Sequence, residues 1–291
     1  MTPLPPRPNA RADIQTILRI LQCEPLELEE ALTGYIDNMD PFPEQYMRMR
    51  QYPGGPFHLY DPTKHCIICA TLMKGDVEKR LAAFLHDVGK ADTRTVDEDG
   101  GAHYYKHDEV GADIALAWFK SFGPDEHAAL NNWIDAGIFA VRVVGWIRWH
   151  MFDMEHLHTK MLDRWLDTFG IEWIDVLFDL RRADWSAART ELCDFDLIEK
   201  ARTTALAYVR TRDAERQRDE AMRKDGKAPT LKDLAVNGTA LITELGMEKG
   251  PAVGLALHYL KKEVNEGTLT NNPETLLAAV RRWIDQTVVK P

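Results

Sequence analysis

At 291 residues the chain exceeds one ordinary domain of about 100 to 200 residues, and its 45% apolar and 28% charged content is that of a globular protein, not a disordered one. No run of about 18 apolar residues marks a membrane span, and the opening "MTPLPPRPNAR" puts prolines where a signal peptide needs an apolar stretch, so a cytoplasmic protein with no membrane partner is expected. A formal charge of −10 argues against a whole-surface grip on nucleic-acid phosphate, and the four scattered cysteines argue against a disulfide framework.

Taken in chain order, nearly every periodic segment has the helical spacing. Ile14, Ile17, Leu18 and Leu21 predict an amphipathic helix in "ADIQTILRIL". "DPTKH" opens another, with Asp61 at the N-cap and Pro62 at the first helical position. "DVEKRLAAFLHDVG" has Asp76 as its N-cap and Val77, Leu81, Leu85 and Val88 on one stripe, with Gly89 placed to end the helix as a C′ glycine. "RTVDEDGGAHYYKH" reads as a hairpin around Asp-Gly-Gly. "HDEVGADIALAWFKSFGP", "HAALNNWIDAGIFAVRVVGWIRWH" and "KMLDRWLDTFG" then repeat the helical pattern with Gly or Pro stops. The interleaved charges of "RTRDAERQRDEAMRKDGK" suit a solvated helix face, and beyond "KDGKAP" come short helices punctuated by Asn-Gly, Gly-Pro and Asn-Asn-Pro. The expectation is an all-α chain: a short helical segment at 1–55, a helical body at 56–195 and a smaller helical region at 196–291.

The chemistry-bearing residues sit at the ends and edges of these helices. His86 and Asp87 are adjacent, about 100° apart on a helix, so they cannot both face the Leu81/Leu85/Val88 stripe but can straddle an ion at its edge. His65, His107, His150 and Asp184 each fall near the end or edge of a different segment, the arrangement by which converging helices build a site in a bundle core. Neutral imidazole with carboxylate suits Mn, Fe, Ni, Zn or Mg better than a thiolate-seeking metal. Cys66 and Cys69 form a lone C-x-x-C with no second pair, and read as small buried apolar groups. His103 precedes His107 by four, though the intervening "YYK" reads as strand or loop. His156 and His158 follow His150 closely and are weaker candidates for the same pocket. No P-loop and no G-x-S-x-G elbow is present, which excludes P-loop kinases and serine hydrolases of that type.

His65, "FLHDVGK", "YYKHDEVGADIA", "WIRWH" and "LRRAD" together resemble the HD phosphohydrolase superfamily, and more narrowly the HD domain in the C-terminal half of bacterial CCA-adding tRNA nucleotidyltransferases. "DLAVNGTALITELGMEKGPAVGLALHYLKKEVNEGTLTNN" resembles the segment that follows that domain, so the likeness runs from about residue 56 to about residue 280. The resemblance implies an HD helical bundle at 56–195 with a smaller C-terminal helical tail. It also implies one or two divalent ions, with His65, His86, Asp87 and Asp184 as a four-ligand set and His107 and His150 as extra ligands for a second ion. Asp87 would bridge the ions, and Lys90 would stand near the substrate phosphate. Only 64 residues precede His65, and they lack the loop and Asp-x-Asp strand of a nucleotidyltransferase head; Asp97-Glu98-Asp99 lies in the hairpin turn and Asp194-Phe195-Asp196 has no upstream loop, so CCA addition is not expected. The reading is a metal-dependent phosphodiesterase or phosphatase, with Asp87 and Lys90 in catalytic roles, acting on 2′,3′-cyclic or terminal phosphates of nucleotides or RNA 3′ ends. The alternatives are an RNA-binding or assembly module for a separate nucleotidyltransferase head, with tRNA as partner, and a nucleotidase for free nucleotides.

Overall fold

The computed structural model describes residues 10–38, 44–55, 58–122, 128 and 136–288, and the chain forms two compact units, Met1–Val209 and Arg210–Pro291. The first unit contains α1 (Ala10–Ile20), α2 (Pro25–Asn38), α3 (Gln45–Met49), α4 (Pro62–Leu72), α5 (Val77–Leu85) and α6 (Lys90–Thr93). A two-stranded antiparallel hairpin follows, β1 (Thr95–Val96) paired with β2 (Ala102–His103), and then α7 (His107–Lys120), α8 (Ala136–Trp149), α9 (Thr159–Phe169) and α10 (Ile171–Ser186). The boundary between the units falls within α11 (Phe195–Lys224), and the second unit adds α12 (Gly238–Leu245), α13 (Pro251–Asn265) and α14 (Pro273–Val288). The fold is all-α, with the hairpin as its only sheet among the described residues. Residues 123–127 and 129–135, which include most of the first part of the long helix expected at 127–150, lie outside the described residues.

The apolar stripes read from the sequence are buried. Ile14, Ile17, Leu18 and Leu21 are all in the core of the first unit, as are Val77, Leu81, Leu85 and Val88. The centre of that core is aromatic. Trp146 of α8 and Trp173 of α10 lie parallel with centroids 6.0 Å apart, and Phe169 stacks on Trp173 at 4.1 Å. Each indole is satisfied: Trp146 Nε1 donates to the Trp173 carbonyl at 3.0 Å and Trp173 Nε1 to the Arg142 carbonyl at 3.1 Å. Gly145 admits this stack, because a methyl there would meet Phe169 and Trp173 at 3.0 Å.

Two local expectations need correction, and both bear on the site. Asp76 stands at the N-cap position of α5, but its carboxylate pairs with Lys79 at 3.1 Å and caps no backbone N–H. Gly89 is not a C′ residue: its φ is −67°, in the ordinary right-handed region, and α5 has already ended at Leu85. Between them the backbone tightens to i→i−3 bonds, Val88 N–H to Leu85 and Lys90 N–H to Asp87, which turns both His86 and Asp87 inward where a continuous helix would have splayed them. The glycine is required by close approach. A Cβ on Gly89 would collide with the carbonyl oxygen of His107 and come within 2.6 Å of the Gly111 nitrogen, so α7 packs directly against the bare backbone here.

The second unit has its own small core of Leu234, Leu241, Ala256, Leu260, Leu276 and Val280. Its turns are held by asparagine side chains that pair with main chain in both directions. Asn271 donates to the Asp233 carbonyl and accepts from Ala235 N–H, both at 2.8 Å, while Asn265 makes the same two-way contact with Ala228 at 3.1 and 2.8 Å. Asn271→Ala removes two such bonds and is expected to lower the stability of this unit by about 2 kcal/mol, measured by urea titration of the full chain.

Asp233 closes the other turn as a capping box with Thr230 and receives Arg223 at 2.7 and 3.4 Å. The hydrogen bond from Arg223, then that from Thr230, hold its carboxyl down at about 2. A depressed carboxyl contributes stability that is present above the ordinary value of about 4 and is lost as pH falls through the folded value. Wild type should therefore lose stability relative to Asp233→Asn between about pH 4 and pH 2, in paired acid titrations.

Candidate metal centre

Six side chains named from the sequence come together in the first unit. Asp61 caps α4 by accepting from Lys64 N–H at 3.0 Å, which with Pro62 starts the helix and sets His65 one turn in. The tight turn after α5 supplies His86 and Asp87. Lys106, in the left-handed region at φ 62°, redirects the chain after the hairpin so that His107 is the first residue of α7. His150 follows the last residue of α8, and Asp184 lies in the last turn of α10. All six are buried, from 0% exposure at His65 and His86 to 8% at His107 and Asp184.

Asp87 is shared between two groups. Its Oδ2 faces His86 Nε2 at 3.4 Å and His65 Nε2 at 3.7 Å; its Oδ1 faces His107 Nε2 at 3.2 Å and His150 Nε2 at 3.7 Å. Asp184 Oδ1 closes the first group, 3.0 Å from His65 Nε2 and 3.6 Å from His86 Nε2. His65, His86 and Asp87 form one cluster whose ligand atoms are all mutually close, and Asp87, His107 and His150 form another.

The donor set fits a divalent cation. Each of the four rings has Nδ1 against a backbone carbonyl: His65 on Ala187 at 3.2 Å, His86 on Ala83 at 2.8 Å, His107 on Tyr104 and His150 on Ile147 at 2.7 Å. A carbonyl only accepts, so Nδ1 carries the hydrogen and each neutral ring turns an Nε2 lone pair toward the carboxylates. This is the outer hydrogen bond that orients metal-binding imidazoles. The inner faces then oppose acceptor to acceptor, including His107 Nε2 against His150 Nε2 at 3.2 Å, and His86 Nε2 is buried with no hydrogen-bond partner among the described residues. A positive charge between these atoms resolves the conflict. Protons serve that purpose without a metal: burial disfavours the His86 cation, but Asp87 and Asp184 outweigh it and raise its pKa to about 10, whereas burial carries His150 down to about 4. Asp87 is likewise held well below the carboxylate range, with His86 and Lys90 overcoming the penalty of burial.

Lys90 Nζ meets Asp87 Oδ2 at 2.5 Å and approaches His58 Nε2 at 3.4 Å. His58 and Arg181 were not singled out from the sequence. His58 stacks edge-on against His65, with centroids 4.5 Å apart, and burial with the adjacent Lys90 lowers its pKa to about 4. Arg181 lies one turn before Asp184 on α10 and reaches its Oδ2 at 3.4 Å. A pocket of about 380 Å³ opens over the cluster, lined by Asp87, His107, Asp184, Lys90, His58 and Arg181 among others. His156 and His158 are exposed and do not line it; His156 pairs with Asp153 at 3.1 Å. His103 lies on β2 and pairs with Asp97 at 2.9 Å, so it shares no helix with His107. Cys66 and Cys69 are fully buried in α4. Asp97 organises the hairpin turn by accepting from Gly101 and Asp99 N–H, and Asp194 accepts from Leu197 N–H at the start of α11.

A helical bundle that gathers imidazoles and carboxylates from separate helices around a shared aspartate defines a class of all-α metal-site domains. Residues 64–187 match the HD domain family, and residues 173–280 match the family described as tRNA nucleotidyltransferase domain 2. All six clustered side chains, from His65 to Asp184, fall within the stretch that matches the HD domain. A CC-adding tRNA nucleotidyltransferase of Thermus thermophilus is 30% identical over 243 residues, a match covering 80% of this chain and 47% of that one. The chain thus spans about half the length of that curated relative. No helix among the described residues is long and apolar enough to cross a membrane.

Proposed function

We propose that the first unit is a divalent-metal-dependent phosphohydrolase acting on 2′,3′-cyclic or terminal phosphates of nucleotides or of RNA 3′ ends. The observation that carries this reading is the pair of buried ligand clusters sharing Asp87 beneath a pocket lined by Lys90 and Arg181. His65, His86, Asp87 and Asp184 would hold one ion, and Asp87, His107 and His150 a second, chosen from Mn, Ni, Fe, Mg or Zn. A divalent ion in such a site supplies Lewis acidity, which activates water and draws charge from a phosphoryl oxygen. The protein's own groups do the rest. The four backbone-anchored rings keep their Nε2 atoms aimed inward, Asp87 spans both clusters, and the Lys90 ammonium adds positive charge where negative charge develops on the phosphoryl oxygens. Neutral His58 beside Lys90 leaves that ammonium as the charged group of the pair.

The test is turnover by purified full chain with added Mn or Ni, read as ring opening of 2′,3′-cAMP or phosphate release from 2′-AMP and 3′-AMP. Turnover that His86→Ala reduces by about a hundredfold or more supports the reading; absence of turnover, or a His86→Ala rate equal to wild type, overturns it. Comparison with dNTPs separates an RNA-end or cyclic-phosphate enzyme from a nucleotidase for free nucleotides.

The match at 173–280 favours a second reading, an RNA-binding or assembly module that partners a separate nucleotidyltransferase head. It predicts tRNA retention that weakens steeply with salt and survives Asp87→Ala. The buried ligand set favours the enzyme, because RNA retention alone makes no use of it.

A further inference from the structure

The pocket over the clusters has a second half that the hydrolytic chemistry does not require. Arg181 is largely buried, with its side chain 11% exposed, yet its contacts are sparse: Nη1 lies 3.4 Å from Asp184 Oδ2 and 3.1 Å from Met151 Sδ, and Nε is buried with no partner among the described residues. A guanidinium offers five N–H donors in a planar fork suited to phosphate oxygens, and a buried donor left unmet is costly unless a ligand completes it. The guanidinium carbon lies over the Trp185 ring, 5.4 Å from its centroid. Next to this cationic group the pocket wall is mainly apolar, with Trp185, Ala188 and Leu192 contributed by the end of α10 and the turn after it and Arg189 as the charged residue among them. Leu192 is 59% exposed and Met151 46%, so apolar surface continues from the pocket to its rim. Charged groups beside the clusters and an aromatic–aliphatic wall beyond them make a two-part recess. That polarity matches a nucleoside phosphate, with its anion inward and its base outward.

We propose that Arg181 binds the non-reacting phosphoryl oxygens and that the Trp185–Leu192 wall takes the nucleobase, so that this pocket selects nucleoside phosphates over simple phosphate esters. The assignment rests on the phosphohydrolase reading for its use, but its binding test does not. Arg181 and Leu192 are specificity-determining residues in this scheme, one for the anion and one for the base.

The experiment is calorimetric titration of the full chain with 3′-AMP, ribose 5-phosphate and inorganic phosphate, each with and without Mn, for wild type, Arg181→Lys, Arg181→Gln and Leu192→Ser. Arg181→Gln is expected to weaken all three ligands by about ten- to a hundredfold, the size of a lost charged hydrogen bond, and Arg181→Lys is expected to recover part of that loss. Leu192→Ser, on an exposed side chain that folding does not depend on, should weaken 3′-AMP by about three- to tenfold and leave phosphate and ribose 5-phosphate unchanged. Circular dichroism and thermal melting of each variant confirm that it is folded. Equal wild-type affinity for 3′-AMP and ribose 5-phosphate, or Arg181→Gln and Leu192→Ser titrations that match wild type, overturn the proposal. If binding divides as expected while no phosphoester is turned over, the specificity pocket stands and the hydrolase reading falls. If phosphoesters are turned over with no preference for nucleotides over p-nitrophenyl phosphate, the hydrolase stands and the pocket falls.

Discussion

Asp87→Asn is expected to remove bound divalent metal and to cut phosphoester turnover by about a thousandfold, the effect of losing several kcal/mol of transition-state stabilisation. The substitution changes almost no volume, so its consequence is electrostatic. Both carboxylate oxygens are engaged, Oδ1 by His107 and His150 and Oδ2 by His65, His86 and Lys90. An amide in that position presents N–H donors to at least one side of the shared site and carries no charge. Lys90, 6% exposed, then has no formal countercharge on Asp87, and breaking a buried pair by removing one partner costs about 3 to 5 kcal/mol. Elemental analysis and melting of wild type and variant, both before and after chelation, read the two effects separately. An Asp87→Asn protein that keeps metal and turns over within tenfold of wild type would show that the reaction centre lies elsewhere.

Gly89→Ala is expected to destabilise the first unit by about 3 kcal/mol, at the upper end of overpacking costs, because the methyl meets the backbone of α7 at two residues, His107 and Gly111. The carbonyl of His107 and the nitrogen of Gly111 cannot rotate away as a side chain would. Relief requires α7 to move off the turn that carries His86 and Asp87, and His107 moves with it. Metal content should fall in the cluster of Asp87, His107 and His150 first, while His65, His86, Asp87 and Asp184 keep their mutual spacing. Gly55→Ala is the matched control, since a methyl there meets nothing within 4 Å, and it should stay within about 0.5 kcal/mol of wild type. Stoichiometry and urea titration of the two variants check the contrast.

These two residues also mark how far the sequence could be read. The clustering of His65, His86, Asp87, His107, His150 and Asp184 was legible because each sits where a periodic helix starts, stops or turns an edge, and such positions converge in a bundle. The apolar stripe of Val77, Leu81, Leu85 and Val88 was legible for the same reason, since local periodicity reports burial. Gly89 has a local signal and a tertiary cause. A glycine at the end of an apolar helix reads as a C′ residue, and only the arrival of α7 shows that the missing Cβ makes room for another backbone. The inward turn of both His86 and Asp87 was hidden likewise, because the tightening to i→i−3 bonds leaves no mark in residue spacing.

His58 and Arg181 were missed for a different reason. His58 comes from an aperiodic stretch before α4 and owes its place to Lys90 and His65, 32 and 7 positions away in sequence. Arg181 had a signal, one turn before Asp184 on the same helix, but an arginine in that position is more often solvated, and its burial follows from Met151 and Trp185. In the second unit, Asn271 looks like a turn residue and Asn265 ends α13, but each acts on main chain more than thirty residues earlier.

The main-chain anchoring of the four imidazoles reaches beyond their orientation. Three of them, His86, His107 and His150, bind the carbonyl three residues before them, a contact that forms when their own turn of chain forms. The rotational freedom of those rings is thus surrendered during folding and not at the moment of capture, so little chain rearrangement remains for an arriving ion to drive. Uptake by such a cradle should follow how readily each ion sheds its hydration water, slow for magnesium and fast for manganese, whatever their final affinities.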